Sequence, residues 1–213
     1  MKKLFFAIPL SFLIACGGGE SVDSNKEIKE DANAVATACT FTVSDKNPTV
    51  LWEAYKFTER AAVGGKMDSV VFSGLDTAAS AGEVFANAEF KVFTSGVNSN
   101  NPDRDAKIAK SFFGVLEMPS LITGKVESVT EGKINVWISM NGVDKLVTLD
   151  TEMLSETRYK ASGTIDVTAF NAEKAVASLN KVCEELHKGA DGSSKLWPDF
   201  KISLVADLNR ICD

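Results

Sequence analysis

With 213 residues, 45% of them hydrophobic and 24% charged, the chain has the length and apolar content for one domain with a sizeable core. Its 29 acidic and 23 basic residues give a formal net charge of −6 with no clustered Lys/Arg stripe, which argues against a nucleic-acid partner. There is one histidine and no Gly-x-Ser-x-Gly elbow, phosphate-binding glycine loop or zinc-hydrolase helix pair, so no cofactor and no metal are expected.

Met1-Lys2-Lys3 leads into an apolar run from Leu4 to Ala15 that is too short to span a bilayer. Two lysines, a short apolar core and small residues around a break describe a bacterial secretory signal peptide over residues 1–15. Leu13-Ile14-Ala15-Cys16 resembles the lipobox of bacterial lipoproteins, which implies acylation of Cys16 and membrane attachment through it. Gly17 rather than aspartate after the cysteine points, by the same resemblance, to the outer membrane; the domain is expected to face the periplasm, with exposure at the cell surface left open. Residues 16–38 are polar, glycine-led and aperiodic, a tether that cannot bury enough surface to offset its ordering entropy. Residues 39–213 remain as the folded domain.

Residues 41–45 read as a short strand ended by Lys46-Asn47-Pro48. Over 50–57, Val50, Trp52, Ala54 and Lys56 alternate with Leu51, Glu53, Tyr55 and Phe57, and both faces are largely apolar. Ala62 to Lys66, with Gly64-Gly65, reads as a turn with close backbone approach, followed by a strand over 67–73 that stops at Gly74. The alanine-rich stretch 77–88 suggests a short helix, and 89–95 a strand with Phe90 and Val92 on one face. Ser95 to Arg104 is a loop by composition. A helix follows over 105–113, started by Asp105, with Ile108, Ala109, Phe112 and Phe113 at helical spacing.

Four strands come next, at 121–130, 134–140, 145–151 and 158–169. Their centre is the clearest signal in the chain: Ile134, Val136, Ile138 and Met140 alternate with Asn135, Trp137, Ser139 and Asn141. Asn141-Gly142 then supplies a tight reversal before alternation resumes through Val147, Leu149 and Thr151, the mark of a β-hairpin. Over 171–188 the period changes to three and four, an amphipathic helix closed by Gly189. The last strand, 200–208, alternates Phe200, Ile202, Leu204, Ala206 and Leu208.

About eight strands in mostly hairpin order with one or two helices predict an all-β domain with minor α, a closed antiparallel barrel that removes exposed sheet edges. A sandwich is the alternative. Cys39 opens the first strand and Cys212 closes the last, so antiparallel neighbours bring them together as a disulfide; Cys39 with Cys183 is the rival pairing.

His187, at a helix end, reads as a surface cation, and Cys183 with His187 makes only half of a metal site. Lys56 shares a strand face with Val50, Trp52 and Ala54. It is either a snorkelling surface lysine or an ammonium that needs an acceptor such as a ligand head group. Arg104-Asp105 either shapes its loop and caps the helix or clamps the mouth of a cavity, where Arg104 meets a ligand.

An ordered set of motifs runs over about 39–210: Phe41-Thr42-Val43, Trp52-Glu53-Ala54-Tyr55-Lys56, Val63-Gly64-Gly65, Phe93-Thr94-Ser95, Arg104-Asp105, Phe112-Phe113, Met140-Asn141-Gly142-Val143 and Trp197-Pro198. In this the chain resembles the YceI-like family of exported, lipocalin-like lipid-binding domains. The resemblance implies an extended lipocalin-like β-barrel whose cavity holds a polyisoprenoid or similar long-chain amphiphile, with no reaction catalysed. Lys56 stands where many members have histidine, which bears on head-group preference.

Assigned by alternation, the cavity lining is Trp52, Ala54, Lys56, Phe90, Val92, Phe112, Phe113, Val136, Ile138, Met140, Leu149, Ile165, Ile202 and Leu204, with Arg104 at the mouth. The expected partners are a long-chain lipid, an isoprenoid quinone or a polyprenyl ligand, and a membrane through Cys16, with a homodimer left open. Two rivals stand beside this reading. One is a structural or interaction lipoprotein whose barrel is filled by its own side chains; the other is a lipid hydrolase or isomerase using Lys56 or Asp105 as base.

Overall fold

The computed structural model describes residues 38–44 and 48–213. The expected signal peptide, Cys16 and the tether up to residue 37 lie outside the described residues.

In chain order the elements are β1 (Cys39–Val43), β2 (Thr49–Lys56), β3 (Ala61–Met67), β4 (Val70–Ser73), β5 (Glu89–Phe93), β6 (Val97–Asn98), α1 (Pro102–Ser111), β7 (Leu121–Thr130), β8 (Lys133–Met140), β9 (Val143–Ser155), β10 (Arg158–Asp166), α2 (Glu173–Val182) and β11 (Leu196–Cys212). The β8–β9 hairpin sets the pattern. Asn141 and Gly142 both take positive φ, 55° and 75°, as a two-residue turn matched to strand twist requires. This fixes Met140 opposite Val143 and Ile134 opposite Leu149. Ile134, Val136, Ile138 and Met140 are then all buried, while Trp137 between them is 42% exposed on the outer face.

Every strand pairing is antiparallel, and the hydrogen-bonded order is β4-β5-β7-β8-β9-β10-β11-β2-β3-β6. The chain itself joins the ends of this path. β3 runs through Asp68 and Ser69 into β4, β5 runs through a 3-10 turn at Thr94–Gly96 into β6, and the first bent strand pairs with the second. The corner is knitted by Asp68 N–H donating to Gly96 O (2.7 Å) and Phe93 N–H donating to Ser69 O (2.9 Å). Counting each bent pair once leaves eight staves of a β-barrel, the number the sequence suggests; β1 is an addition along the far end of β11.

β11 is much longer than its alternation suggests. It pairs with β10 on one edge and β2 on the other, and its last residues pair with β1. Pro198, which has no N–H to donate, sits where the β11–β2 register slips between Leu196 and Phe200. At the far end Cys39 faces Cys212 in register, and the two form a disulfide. Cys183 is free and buried, so the Cys39–Cys183 alternative is not formed.

Several local expectations are corrected. Residues 62–66 are strand rather than turn, because Gly64 and Gly65 serve packing: a Cβ on Gly65 would stand 2.3 Å from Asn98 O and 2.6 Å from the Trp52 ring. The stretch 67–73 is not one strand but the bend from β3 into β4. Residues 77–88 form no α-helix. Gly82 interrupts them, Phe41 and Ala78 exchange backbone hydrogen bonds, and only a 3-10 turn at Glu83–Phe85 remains. It places Val84 and Phe85 in the core. Helix α1 starts three residues before Asp105, with Pro102 in its first turn and Asn101 as cap, its Oδ1 accepting from Arg104 N–H (3.0 Å). The long helix expected over 171–188 is α2 followed by a 3-10 turn at Glu184–His187.

Candidate functional site

The inward faces of the staves do not meet. They leave a partly open cavity of about 240 Å³, a little below the volumes common for ligand pockets, about 300–1,000 Å³. Trp52, Ala54, Phe90, Val92, Val136, Ile138, Met140, Leu149, Ile165, Ile202 and Leu204 line it from the sheet. Ile108, Phe112 and Phe113 come from α1 and the turn after it, and Val176 and Leu179 from α2, so the two helices contribute a further part of the wall.

Among the described residues, Ser203 is the one lining residue with a hydroxyl, amide or charge. Trp52 and Trp197 also line the cavity, but their indole N–H groups are satisfied by backbone, donating to Lys66 O (3.3 Å) and Phe57 O (2.7 Å). Such a wall presents almost nothing for water to hydrogen-bond and suits hydrocarbon.

Lys56 and Arg104 do not line the cavity. Lys56 ends β2 on the same face as Trp52 and Ala54, and its Nζ reaches out to donate to Leu186 O (3.2 Å) while lying 4.5 Å from the Phe57 ring centroid. Arg104 turns back on its own loop, with Nε donating to Ser99 Oγ (2.7 Å) and Nη2 to Ser99 O (2.9 Å). Asp105 Oδ1 accepts from Ser99 N–H (2.8 Å), so the Arg104-Asp105 pair shapes the loop around the buried Ser99.

His187 is not a surface cation. It is 9% exposed, with Nδ1 donating to Asn180 Oδ1 (2.8 Å), and burial together with the charge of Lys56 holds its pKa below the usual value. Four residues after Lys56, Arg60 stacks on Tyr55 and Trp197, with ring centroids 4.5 and 4.3 Å away, and pairs bidentately with Asp199. That pairing holds the Asp199 carboxyl below the ordinary carboxylate range.

The model of the YceI-like domain matches residues 29–204. The chain belongs to the YceI-like domain family. Two solved structures share the fold of this YceI-like domain. A polyisoprenoid binding domain from Saccharophagus degradans, implicated in plant cell wall breakdown, is 14% identical with a TM-score of 0.54, over 81% of this chain and 98% of that one. Burkholderia cenocepacia BcnA is 13% identical with a TM-score of 0.50, over 78% and 99%. No curated protein matches the sequence.

Other residues of the YceI-like cavity were open to sequence reasoning but missed. Val50, Ile134 and Phe200 share the faces of Trp52, Val136 and Ile202, so the same alternation places them inside. Phe85 and Phe170 reach the cavity from 3-10 turns, where no period marks an inward side chain. Trp197 looked like a motif residue and proves to be a wall.

Proposed function

We propose that this YceI-like protein binds one long-chain apolar lipid, of the polyisoprenoid or fatty-chain class, inside the barrel and carries or sequesters it without chemical change. The observation that carries this reading is the cavity inside the barrel, whose described lining is apolar save for Ser203. Burial of hydrocarbon supplies about 0.8 kcal/mol per CH₂, so a ten-carbon stretch yields about 8 kcal/mol before the costs of association. The polyisoprenoid binding domain that shares this fold supports the chain class.

In the same proposal, acylation at Cys16 ties the domain by its tether to the outer membrane, facing the periplasm. Cys16→Ala is then expected to move the protein from the membrane fraction to the soluble one.

Native mass spectrometry of the domain from residue 39 onward, beside mass spectrometry of its organic extract, tests the binding claim. A stoichiometric lipid of unaltered structure supports a carrier. A clean apo mass after exposure to quinones, polyprenyl phosphates and fatty acids favours the barrel filled by its own side chains. Turnover of an offered lipid, lost in Lys56→Ala with binding retained, favours the enzyme.

A further inference from the structure

Beside the cavity wall lies a group of cations and rings that the hydrocarbon cavity does not use. Leu196, Trp197 and Pro198 line the cavity at the start of β11, and Lys56 is the register partner of Leu196 on β2. Lys195, next in sequence, places its Nζ 3.5 Å from the Trp197 ring centroid. The same indole thus borders the hydrocarbon space and carries an ammonium. Phe57 adopts left-handed backbone (φ 63°), uncommon for an aromatic residue. In that turn its carbonyl meets the Trp197 indole N–H and its ring lies under Lys56.

Among the described residues neither lysine has a carboxylate partner. The Lys56 ammonium donates to the Leu186 carbonyl over the Phe57 ring, and the Lys195 ammonium lies over the Trp197 ring. Arg60, the third cation, is already neutralised by Asp199. Glu59 and Asp191, nearby in sequence, accept instead from the Thr58 hydroxyl. The Lys56 charge is close enough to disfavour a proton on His187. Two ammonium groups left without counter-ions beside an apolar cavity describe the polar end of a site for an amphiphile.

We infer that Lys56, over the Phe57 ring, and Lys195, over the Trp197 ring, form a site for an anionic head group, taking the phosphate or carboxylate of a lipid whose chain fills the cavity. The inference rests on the proposed chain binding and deepens it, since it selects anionic amphiphiles over alcohols and neutral quinones. Each lysine supplies a charge-assisted hydrogen bond, and one such bond is worth about tenfold or more in affinity.

The test compares farnesyl phosphate with farnesol, and dodecanoate with dodecanol, on the full domain by calorimetry. The proteins are the wild type, Lys56→Met/Lys195→Met and Lys56→Arg/Lys195→Arg, with inorganic phosphate as a separate probe. The wild type is expected to bind each anionic member about tenfold or more tightly than its alcohol. The methionine variant loses that preference while keeping wild-type affinity for the alcohols, which also reports that it folds, and the arginine variant retains the preference. Inorganic phosphate alone binds far more weakly than farnesyl phosphate. Equal binding of alcohol and anion by the wild type overturns the head-group site and leaves the cavity reading standing. Failure of all four amphiphiles to bind overturns the cavity reading itself. Inorganic phosphate binding as tightly as farnesyl phosphate makes the site one for a free anion and overturns its assignment to lipid.

Discussion

Gly124→Ala probes how the cavity wall is built. Gly124 on β7 is the register partner of Phe90 on β5, and the Phe90 ring lies over it: a Cβ at Gly124 would stand 2.1 Å from Phe90 Cζ. Carbon atoms rest about 3.5–4.0 Å apart, so the ring must yield by about 1.4 Å or more. On the other side Phe90 is flanked by Phe72, its register partner on β4, with ring centroids 6.0 Å apart. The ring therefore swings into the cavity it lines. Overpacking of this kind costs about 1–3 kcal/mol. At about 2–4 °C per kcal/mol for a domain of this size, thermal unfolding followed by circular dichroism should fall by about 2–12 °C. In a Phe90→Ala background the clash is gone, and Gly124→Ala should become neutral or stabilise by about 0.5–1 kcal/mol, the ordinary penalty of glycine in a strand. An equal cost in both backgrounds would refute the reasoning, because the double-mutant cycle would then show no coupling between ring and glycine.

Gly65→Ala should be worse than Gly124→Ala, because its Cβ meets the Asn98 carbonyl as well as the Trp52 ring and so opens the β3–β6 corner; a smaller loss in urea unfolding contradicts this. Opening the Cys39–Cys212 disulfide, with sequence separation 173, should cost about 5 kcal/mol in the chain-entropy model, read as a shift in urea midpoint between oxidised protein and Cys39→Ser/Cys212→Ser. Asn141 donates through Nδ2 to Phe170 O (2.9 Å) and Asn171 O (3.1 Å), and its Oδ1 accepts from Glu117 N–H (2.7 Å). Asn141→Gly, which keeps the turn's positive φ, should therefore still lose about 2–4 kcal/mol in chemical denaturation. His187 favours its neutral form when folded, so the unfolded chain binds the extra proton on acidification. Its contribution is full above the unfolded pKa of 6.5 and is lost as pH falls from there toward the lower folded value. The single imidazole should titrate below 6.5 by NMR, and His187→Asn should flatten the pH dependence of stability in that window.

The barrel was legible where one face is apolar and the other polar. In β8 and β9 a period of two and an Asn-Gly turn leave one register, and the inward residues follow directly. Of the fifteen residues expected at the cavity, eleven line it from strands for the same reason, and Phe112 and Phe113 line it from the end of α1 and the turn after it. The exceptions, Lys56 and Arg104, are long cationic side chains, and alternation gives the face from which a side chain leaves but not where its charged end travels. Gly64-Gly65 misled because glycine marks both turns and close packing, and only the position of the Trp52 ring distinguishes them. Residues 77–88 misled because helix propensity is weak beside the Phe41–Ala78 pairing and the burial of Val84 and Phe85. His187 went wrong because the polar partner that lets it be buried, Asn180, lies seven residues back and carries no sequence signal.

Whether hydrocarbon fills the barrel is read from a homologous series of n-alkanols from eight carbons upward, titrated against the fluorescence of Trp52 and Trp197 at the wall. Each methylene that enters the cavity should strengthen binding by about 0.8 kcal/mol, or about fourfold, until the cavity is full, after which affinity should level off. Binding that is weak and independent of chain length at every step would mean that the barrel holds no hydrocarbon chain.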